Sequence, residues 1–262
     1  MSGDVVGGGG EPEGREARVA IEAHGLSRRY GGVLAVDGVS LSVYFGEVLA
    51  LVGDNGAGKS TLIKLLSGAV RPSSGEIRVD GRRMEAHGSS EMRDVGIETV
   101  YQDLALCPDL SAEDNLYLGR EPTTRSWLRC VGVLDRARIR KGAQDHLASL
   151  GAKVPLGVPV ARLSGGQRQV IAIARAAYWG QRLVIFDEPT AALGVEQTAQ
   201  TRRLVCEVAQ RGPGVILISH DLDEVFEISD RIAVLRLGKL VEVQSTDRAD
   251  RIRIRSLMAG LA

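Results

Sequence analysis

Nine consecutive residues at positions 53–61 combine glycines with a lysine and two hydroxyl side chains, a set that can grip a phosphate group. The segment fits the pattern G-x-x-x-x-G-K-[ST] and lies between an apolar run at 48–52 and a helical pattern at 62–66. Glycine lacks the Cβ atom that would keep the backbone from wrapping a phosphate, so successive N–H groups can point at it. The loop consists of Gly53, Asp54, Asn55, Gly56, Ala57, Gly58, Lys59, Ser60 and Thr61. We predict that Lys59 reaches the β- and γ-phosphates of a nucleotide and that Ser60 binds Mg²⁺; the alternative is a glycine-rich turn.

A second candidate phosphate site follows Leu163 and consists of Ser164, Gly165, Gly166 and Gln167. An apolar-periodic helix comes directly after it, so Ser164 has the position of an N-cap residue. The glycines leave backbone N–H groups accessible at the positive end of this helix. Taken alone, the segment could be an ordinary helix start.

Two adjacent carboxylates, Asp187 and Glu188, end the apolar run 184–186. A carboxylate at the end of a buried strand can hold Mg²⁺, and a neighbouring one can orient and deprotonate a water molecule. We predict the first role for Asp187 and the second for Glu188. An acidic turn that only caps a strand is the alternative.

The loop at 53–61, the sequence Leu-Ser-Gly-Gly-Gln at 163–167 and the segment 184–189 together resemble the nucleotide-binding subunit of an ATP-binding cassette (ABC) transporter. The resemblance covers residues 18–245. It implies an ATPase that uses ATP and Mg²⁺.

The same resemblance assigns three further residues. Gln102 corresponds to a glutamine that touches the metal and the attacking water, His220 to a histidine that contacts the γ-phosphate, and Tyr30 to an aromatic side chain that stacks on adenine. Stacking on an aromatic face contributes about 1–3 kcal/mol per base. Without the resemblance, we would expect a surface glutamine, a structural histidine and a packing tyrosine.

The resemblance also predicts partners. In the family, the phosphate loop of one subunit and the Leu-Ser-Gly-Gly-Gln of another enclose each ATP, so a chain with one of each motif should pair with a second copy of itself. Transmembrane permease subunits, and through them a solute-binding protein, are the other expected partners. We expect no nucleic acid, because 33 basic residues balance 33 acidic ones.

One position departs from the family pattern. Gly194 stands where family members often carry an aspartate that takes part in contacts between subunits. We therefore expect altered coupling between the two ATP sites rather than lost hydrolysis.

Three local segments, 102–107, 115–121 and 191–195, are similar to monosaccharide importers. They favour a pentose or a hexose as cargo. An amino-acid importer, an exporter, a non-transport ABC protein and a nucleotide-sensing scaffold are the alternatives. The scaffold would be expected to lack Glu188 or His220.

The alternation of strands and helices predicts an α/β fold with a mostly parallel sheet, and the family resemblance implies a P-loop NTPase core. Period-two alternation near 19–21 and 34–43 predicts an N-terminal antiparallel β-subdomain, and the region from about 103 to 162 reads as a helical subdomain. Residues 1–17 are expected to be a disordered glycine-rich leader and residues 246–262 a helical tail, with 248–255 forming a solvated helix face.

Composition sets outer limits on the function. At 44% hydrophobic and 25% charged residues, the chain has the make-up of an ordinary globular protein. It contains no apolar stretch of about 18 residues and no signal-peptide layout, so we expect it in the cytosol, at the membrane through a permease. Its three cysteines have no metal-like spacing.

Overall fold

A computed structural model describes residues 18–84, 88–124, 132–191 and 193–261. The predicted leader at 1–17 lies outside the described residues. Within them, the helices are α1 (Lys59–Leu66), α2 (Ser89–Asp94), α3 (Ala112–Tyr117), α4 (Arg136–Ser149), α5 (Gly165–Trp179), α6 (Val195–Gln210), α7 (Leu222–Ile228) and α8 (Arg251–Ala259). The strands are β1 (Val19–Tyr30), β2 (Val33–Tyr44), β3 (Val48–Val52), β4 (Ser74–Val79), β5 (Arg82–Arg83), β6 (Ile97–Val100), β7 (Leu183–Asp187), β8 (Gly214–Ile218), β9 (Arg231–Arg236) and β10 (Lys239–Ser245).

A central sheet positions the candidate site. Its strand order is β10-β9-β3-β8-β7-β6, and every neighbouring pair is parallel except β9 with β10. Strands β3 and β8 are buried along their whole length, as near-continuous apolar runs covered on both faces require. The prediction of a mostly parallel sheet is confirmed.

Alternate residues of the central strands enter different hydrophobic cores. Leu183 and Ile185 of β7 pack with α1 and the N-terminal strands, whereas Val184 and Phe186 pack with α3, α4, α5 and α6. Helical and sheet layers on opposite faces therefore hold the sheet rigidly. The carboxyl ends of its parallel strands share one edge, where the candidate residues collect.

The predicted antiparallel sheet is also confirmed, in the order β2-β1-β4-β5. Tyr30 pairs with Val33 across a two-glycine turn, so β1 and β2 form a long hairpin. Asp80 and Gly81 both have positive φ, at 52° and 75°, which matches the type I′ turn expected of an Asp-Gly hairpin.

Helices α3 and α4 occupy the region where a helical subdomain was predicted, and both pack against α5. Ser111 is the N-cap of α3, and its side chain accepts a hydrogen bond from the Asp114 N–H. The apolar positions Ile139, Ala143 and Leu147 of α4 face the core.

The C-terminal helix α8 is only partly the solvated helix that the sequence predicts. Its arginines are exposed, but Ile254 is fully buried and packs against the central sheet. Arg251 pairs with Asp223 and Arg253 with Glu242, so the charged face contacts neighbouring elements. Among the described helices, none has the length and apolar character needed to cross a bilayer.

Candidate functional site

The phosphate loop joins β3, in the middle of the central sheet, to α1. A Cβ at Gly53 would lie 2.2 Å from the Leu235 carbonyl oxygen, and one at Gly58 would lie 2.5 Å from that of Ala35. Gly58 also has φ +106°. These two glycines are therefore required by close backbone approach, independently of any ligand.

The helix that follows the loop is suited to an anion. Gly58 is its N-cap, and no side chain caps its first turn. No acidic residue lies in that turn either. Several backbone N–H groups are thus left for a ligand at the positive end of the helix dipole.

Lys59 closes over the loop. Its Nζ donates to the Gly53 carbonyl at 2.6 Å and to the Asp54 carbonyl at 3.0 Å. Burial lowers the pKa of this ammonium, while the charges of Glu188, Asp54 and Asp187 oppose that shift. The lysine is held among anionic groups beside the loop, where it can neutralise phosphate charge.

Asp187 is the last residue of β7 and is half-buried. Burial raises the pKa of its carboxyl, and the adjacent Glu188 raises it further, while Lys59 and Lys64 act in the opposite direction. An ionised Asp187 is therefore under-compensated by the protein alone and would be stabilised by a cation.

Glu188 has a backbone conformation unusual for a residue with a side chain, with φ +51°. Its N–H donates to the Ile218 carbonyl of β8 at 3.0 Å, which fixes the turn to the neighbouring strand. Such left-handed residues cost about 1–3 kcal/mol and cluster at functional sites. The strand β7 ends at Asp187, so Glu188 is the first residue of the turn that follows it.

His220 meets Glu188 at this edge. The His220 Nδ1 lies 3.4 Å from the Glu188 Oε1, and the histidine is 71% exposed against 27% for the glutamate. Register accounts for the meeting, because Asp187 lies opposite Ile218 in the parallel β7 and β8 pair. The structure thus brings together the residue predicted to deprotonate the attacking water and the residue predicted to contact the γ-phosphate.

Gln102 follows β6 by two residues and is exposed. Because Val100 lies opposite Phe186, the chain positions of Gln102 and Glu188 emerge from the same edge of the sheet. The next turn is irregular, with positive φ at Leu104 and Ala105. Gln102 is therefore close in topology to the carboxylates, on a loop that leads toward α3.

Tyr30 ends β1 and is 43% exposed. The Arg28 guanidinium carbon lies 4.7 Å from the centre of the tyrosine ring. The tyrosine is thus an exposed aromatic platform with a cation on it, and it is not a core packing residue. Arg28 was not predicted to lie at the site, although residues two apart on a strand share a face.

The donor set fits a Mg²⁺ ion held jointly with a nucleotide. Among the described residues, no group of three or more His, Cys, Asp and Glu side chains could hold a metal. Asp187, the Ser60 hydroxyl and the Gln102 amide offer oxygens, and Mg²⁺ commonly takes one or two carboxylates with phosphates and water. The raised pKa of Asp187 is the observation that favours a cation there.

The second phosphate motif is the N-terminus of α5. The Ser164 Oγ accepts from the Gln167 N–H at 3.2 Å, and the Gln167 Oε1 accepts from the Ser164 N–H at 3.0 Å. This capping box confirms the predicted N-cap and occupies the Gln167 amide oxygen. A Cβ at Gly165 would meet nothing within 4 Å, so its glycine identity is not required by the packing of this chain.

No hydrogen bond or ion pair joins the phosphate loop to this second motif among the described residues, which include both motifs in full. The structure therefore assembles the loop, the carboxylates and His220 at one edge, and it leaves Ser164, Gly165, Gly166 and Gln167 as a separate group.

Gly194 is the N-cap of α6 and has extended backbone. Its N–H donates to the Gln197 Oε1 at 3.1 Å, which is the half of a capping box that a glycine can form. A Cβ at Gly166 would lie 3.0 Å from the Gln197 Cγ, so this glutamine packs on the second phosphate motif. Gln197 was not predicted from the sequence, although a glutamine three residues after an N-cap is a recognisable signal.

Comparison with known proteins gives the family. A sequence model of the ABC transporter family matches residues 36–191. The fructose import ATP-binding protein FrcA of Rhizobium meliloti is 48% identical over 84% of this chain and 85% of its own length. The ribose import ATP-binding protein RbsA 1 of Rubrobacter xylanophilus is 44% identical over 93% of this chain, which spans 47% of that relative.

A solved structure supports the fold. It is the dimeric post-hydrolysis state of an ATP-binding cassette bound to ADP and phosphate, with a TM-score of 0.72 at 23% identity over 88% of this chain and all of that one. The family match covers more than half of the sequence and agrees with the arrangement of the loop and the carboxylates. The chain therefore belongs to the ABC transporter family.

Proposed function

We propose that this chain is the ATP-hydrolysing subunit of an importer that takes up a monosaccharide through a membrane permease. The observation that carries the proposal is the convergence of Lys59, Asp187, Glu188 and His220 at one edge of the sheet, with Glu188 and His220 3.4 Å apart. The cargo rests on the relatives, whose names give fructose and ribose import.

In this proposal, the phosphate loop holds the nucleotide. Backbone N–H groups of 53–61 surround the phosphates, and Lys59 leaves its carbonyl partners to neutralise the β- and γ-phosphates. Tyr30 stacks on the adenine. Asp187, Ser60 and Gln102 would hold Mg²⁺, which supplies charge neutralisation on the transferring phosphate.

Glu188 is the proposed general base. Its strained turn aims the carboxylate past the strand end, where it can accept a proton from water. His220 is exposed and within contact of Glu188, so it can donate to the γ-phosphate while it fixes the water in line.

Each chain supplies half of a site in this proposal. Ser164, Gly165, Gly166 and Gln167 would cover the phosphates of an ATP held by the partner's phosphate loop, which makes the functional unit a homodimer. The open space at Gly165 supports this arrangement, because no described residue lies close enough to explain a glycine there. Closure would depend on the γ-phosphate and reverse after hydrolysis.

A groove beside the Gln102 loop is the proposed contact with the permease. Its volume is about 670 Å³, and its lining includes Glu98, Arg120, Arg175 and Trp179. Arg120 pairs with Glu98 at 3.0 Å and stacks on Trp179. Arg175 donates to two carbonyls of the turn that follows Gln102. A permease segment that binds in the groove and moves Arg175 would therefore also move the Gln102 loop.

The test combines hydrolysis with uptake. Purified chain should hydrolyse ATP with Mg²⁺. A strain that lacks the gene should lose uptake of one radiolabelled sugar among fructose, ribose, xylose and arabinose. Wild type should restore uptake and Glu188→Gln should not. If the purified chain hydrolyses ATP but the deletion strain takes up all four sugars normally, the ATPase proposal stands and the proposal of a monosaccharide cargo is rejected.

A further inference from the structure

Glu224 is a fully buried carboxylate that the proposed mechanism does not use. It lies on α7, which begins two residues after His220. Glutamate is almost never fully buried without a partner. Its contacts therefore call for a physical reason.

One oxygen of Glu224 binds the turn that carries Glu188. The Thr190 hydroxyl donates to the Glu224 Oε2 at 3.1 Å. Thr190 lies two residues after Glu188, and the Ala191 N–H closes the same turn by donating to the Glu188 carbonyl at 3.1 Å. Glu224 thus ties α7 to the turn whose first residue is the proposed general base.

The other oxygen faces an arginine of α6. The Glu224 Oε1 lies 3.7 Å from the Arg202 Nε, and neither atom has a hydrogen-bond partner among the residues that the structure describes. Arg202 also reaches Asp221, the residue after His220, at 3.2 Å, and the exposed Glu227 at 2.5 Å. One guanidinium therefore contacts carboxylates on both sides of the start of α7.

These contacts connect the turn that carries Glu188 to the turn that carries His220. We name the four residues that make this connection the clamp: Thr190, Arg202, Asp221 and Glu224. On one side it holds the turn after β7, and on the other the turn after β8. The β7 and β8 backbones are already joined by the Glu188 N–H to Ile218 bond. The clamp adds a second connection, made by side chains beyond the strand ends.

Stability alone is a weak explanation for this arrangement. A buried ion pair is often no more stabilising than apolar side chains of the same size, because desolvation offsets the attraction. Here two buried polar atoms also lack hydrogen bonds within the described part of the chain, which costs further free energy. The geometry instead suits a device that fixes relative position.

We propose that Glu224 is a positioning residue that sets Glu188 relative to His220 through Thr190 and Arg202. The inference rests on the proposed ATP hydrolysis, since Glu188 and His220 matter as a pair only if they act on one water molecule. A displacement of about 1 Å at reacting groups can lower a rate by about 10²-fold. Loss of the clamp therefore acts on kcat and leaves ATP binding to the phosphate loop.

The main test compares Thr190→Val with Thr190→Ser in full-length protein. Valine has nearly the shape of threonine but cannot donate to Glu224, whereas serine retains the hydroxyl. We expect Thr190→Val to lower kcat about tenfold with KM for ATP unchanged, and Thr190→Ser to restore most of the rate. Equal kcat values for Thr190→Val and wild type would reject the clamp.

A matched pair of charge variants separates positioning from general loss of charge. Glu224→Gln and Glu227→Gln each remove one carboxylate that faces Arg202, but Glu224 is buried and Glu227 is 58% exposed. We expect kcat to fall only in Glu224→Gln. If both variants lower the melting temperature and neither changes kcat, the cluster is structural.

A readout without ATP distinguishes failure of this inference from failure of the proposed function. Hydrogen exchange of the amides of Glu188 and Ala191 should accelerate in Thr190→Val and not in Thr190→Ser. If wild type proves inactive toward ATP, the ATPase proposal falls, and faster exchange still supports the clamp. Unchanged exchange in Thr190→Val would reject the clamp in either case.

Discussion

The two phosphate motifs of this chain are built in different ways. Close backbone approaches require glycine at Gly53 and Gly58, and Lys59 is already held by loop carbonyls. The motif at Ser164, in contrast, is a capped helix end with open space at Gly165. The first motif is surrounded by titratable groups, and the second has none of its own.

This difference separates chemistry from recognition. The edge with Asp187, Glu188 and His220 has two carboxylates and an imidazole, groups that can accept a proton or hold a cation, whereas the α5 terminus offers N–H groups and a dipole. Changes at the first motif and at this edge should therefore affect nucleotide binding or the chemical step in the chain that carries them. Changes at the second motif should affect only the hydrolysis of the ATP that is bound to the phosphate loop of the partner chain.

The largest effect is expected from Glu188→Gln. A glutamine cannot accept the proton of the attacking water, so kcat should fall by about 10²–10⁴-fold while ATP binding persists. With ATP, the variant should elute as a dimer in size-exclusion chromatography. Glu207→Gln, which removes a partly exposed carboxylate of α6 that pairs with Arg211, is the control and should keep the parental rate. Parental activity in Glu188→Gln would show that another group is the base.

The next effect tests the division between chains. Lys59→Ala should weaken nucleotide binding, and Ser164→Arg should fill the space over the α5 terminus, so each variant alone should lose about 10²-fold in activity. A mixture of the two should regain activity, because one of the two sites in a mixed dimer combines an intact phosphate loop with an intact Ser164 motif.

The control for this mixture is Lys59→Ala mixed with the double variant that carries both changes, in which no mixed dimer has an intact site. If the first mixture is as inactive as this control, the two motifs act within one chain. Unchanged activity of Ser164→Arg by itself would also contradict the shared site.

The sequence predicts the parts of this comparison that are local. The phosphate loop, the N-cap at Ser164 and the strand that ends at Asp187 follow from patterns of fewer than twenty residues, and the structure contains each of them. The antiparallel and parallel sheets also follow from periodicity. Their shared requirement is a backbone geometry that neighbouring residues impose.

The parts that depend on side chains from distant elements could not be predicted in this way. The burial of Glu224 results from α6 and the turn after β7 meeting on α7, and its charge by itself predicts exposure. The packing of Arg28 on Tyr30 and of Gln197 on Gly166 likewise depends on rotamers and on elements brought together by the fold.

A smaller effect, on stability, should appear at Asp187. Burial raises the folded-state pKa of this carboxyl above its ordinary value of 3.8, so its ionised form destabilises the nucleotide-free fold. The loss of stability is absent below pH 3.8, where the carboxyl is protonated in both the folded and the unfolded state. It grows as the pH rises from 3.8 to the raised pKa of the folded state and is complete at neutral pH. Asp187→Asn should therefore raise the melting temperature by about 2 °C at pH 7.5 and by less near pH 4.

Differential scanning fluorimetry at both pH values measures this difference. Adding ATP and Mg²⁺ should stabilise wild type more than Asp187→Asn, because only the carboxylate gains a cation. A lower melting temperature for Asp187→Asn at pH 7.5 would mean that the carboxylate is already satisfied within the chain.

The smallest effect is expected where the sequence departs from its family. Gly194→Asp restores a carboxylate at the N-cap of α6. At an N-cap, aspartate and glycine differ in their effect on the free energy of unfolding by only about 0.3 kcal/mol. Gln197 already accepts from the Gly194 N–H and packs on Gly166, so the helix start has its support without the aspartate. We expect the basal rate to stay within about twofold. The Hill coefficient for ATP should change, because residue 194 is expected to face the partner subunit.

Gln197→Ala is the informative companion, since it loosens the link between α6 and the Ser164 motif inside one chain. If Gly194→Asp lowers the rate as much as Gln197→Ala and leaves the Hill coefficient unchanged, position 194 acts through its own helix and not across the dimer.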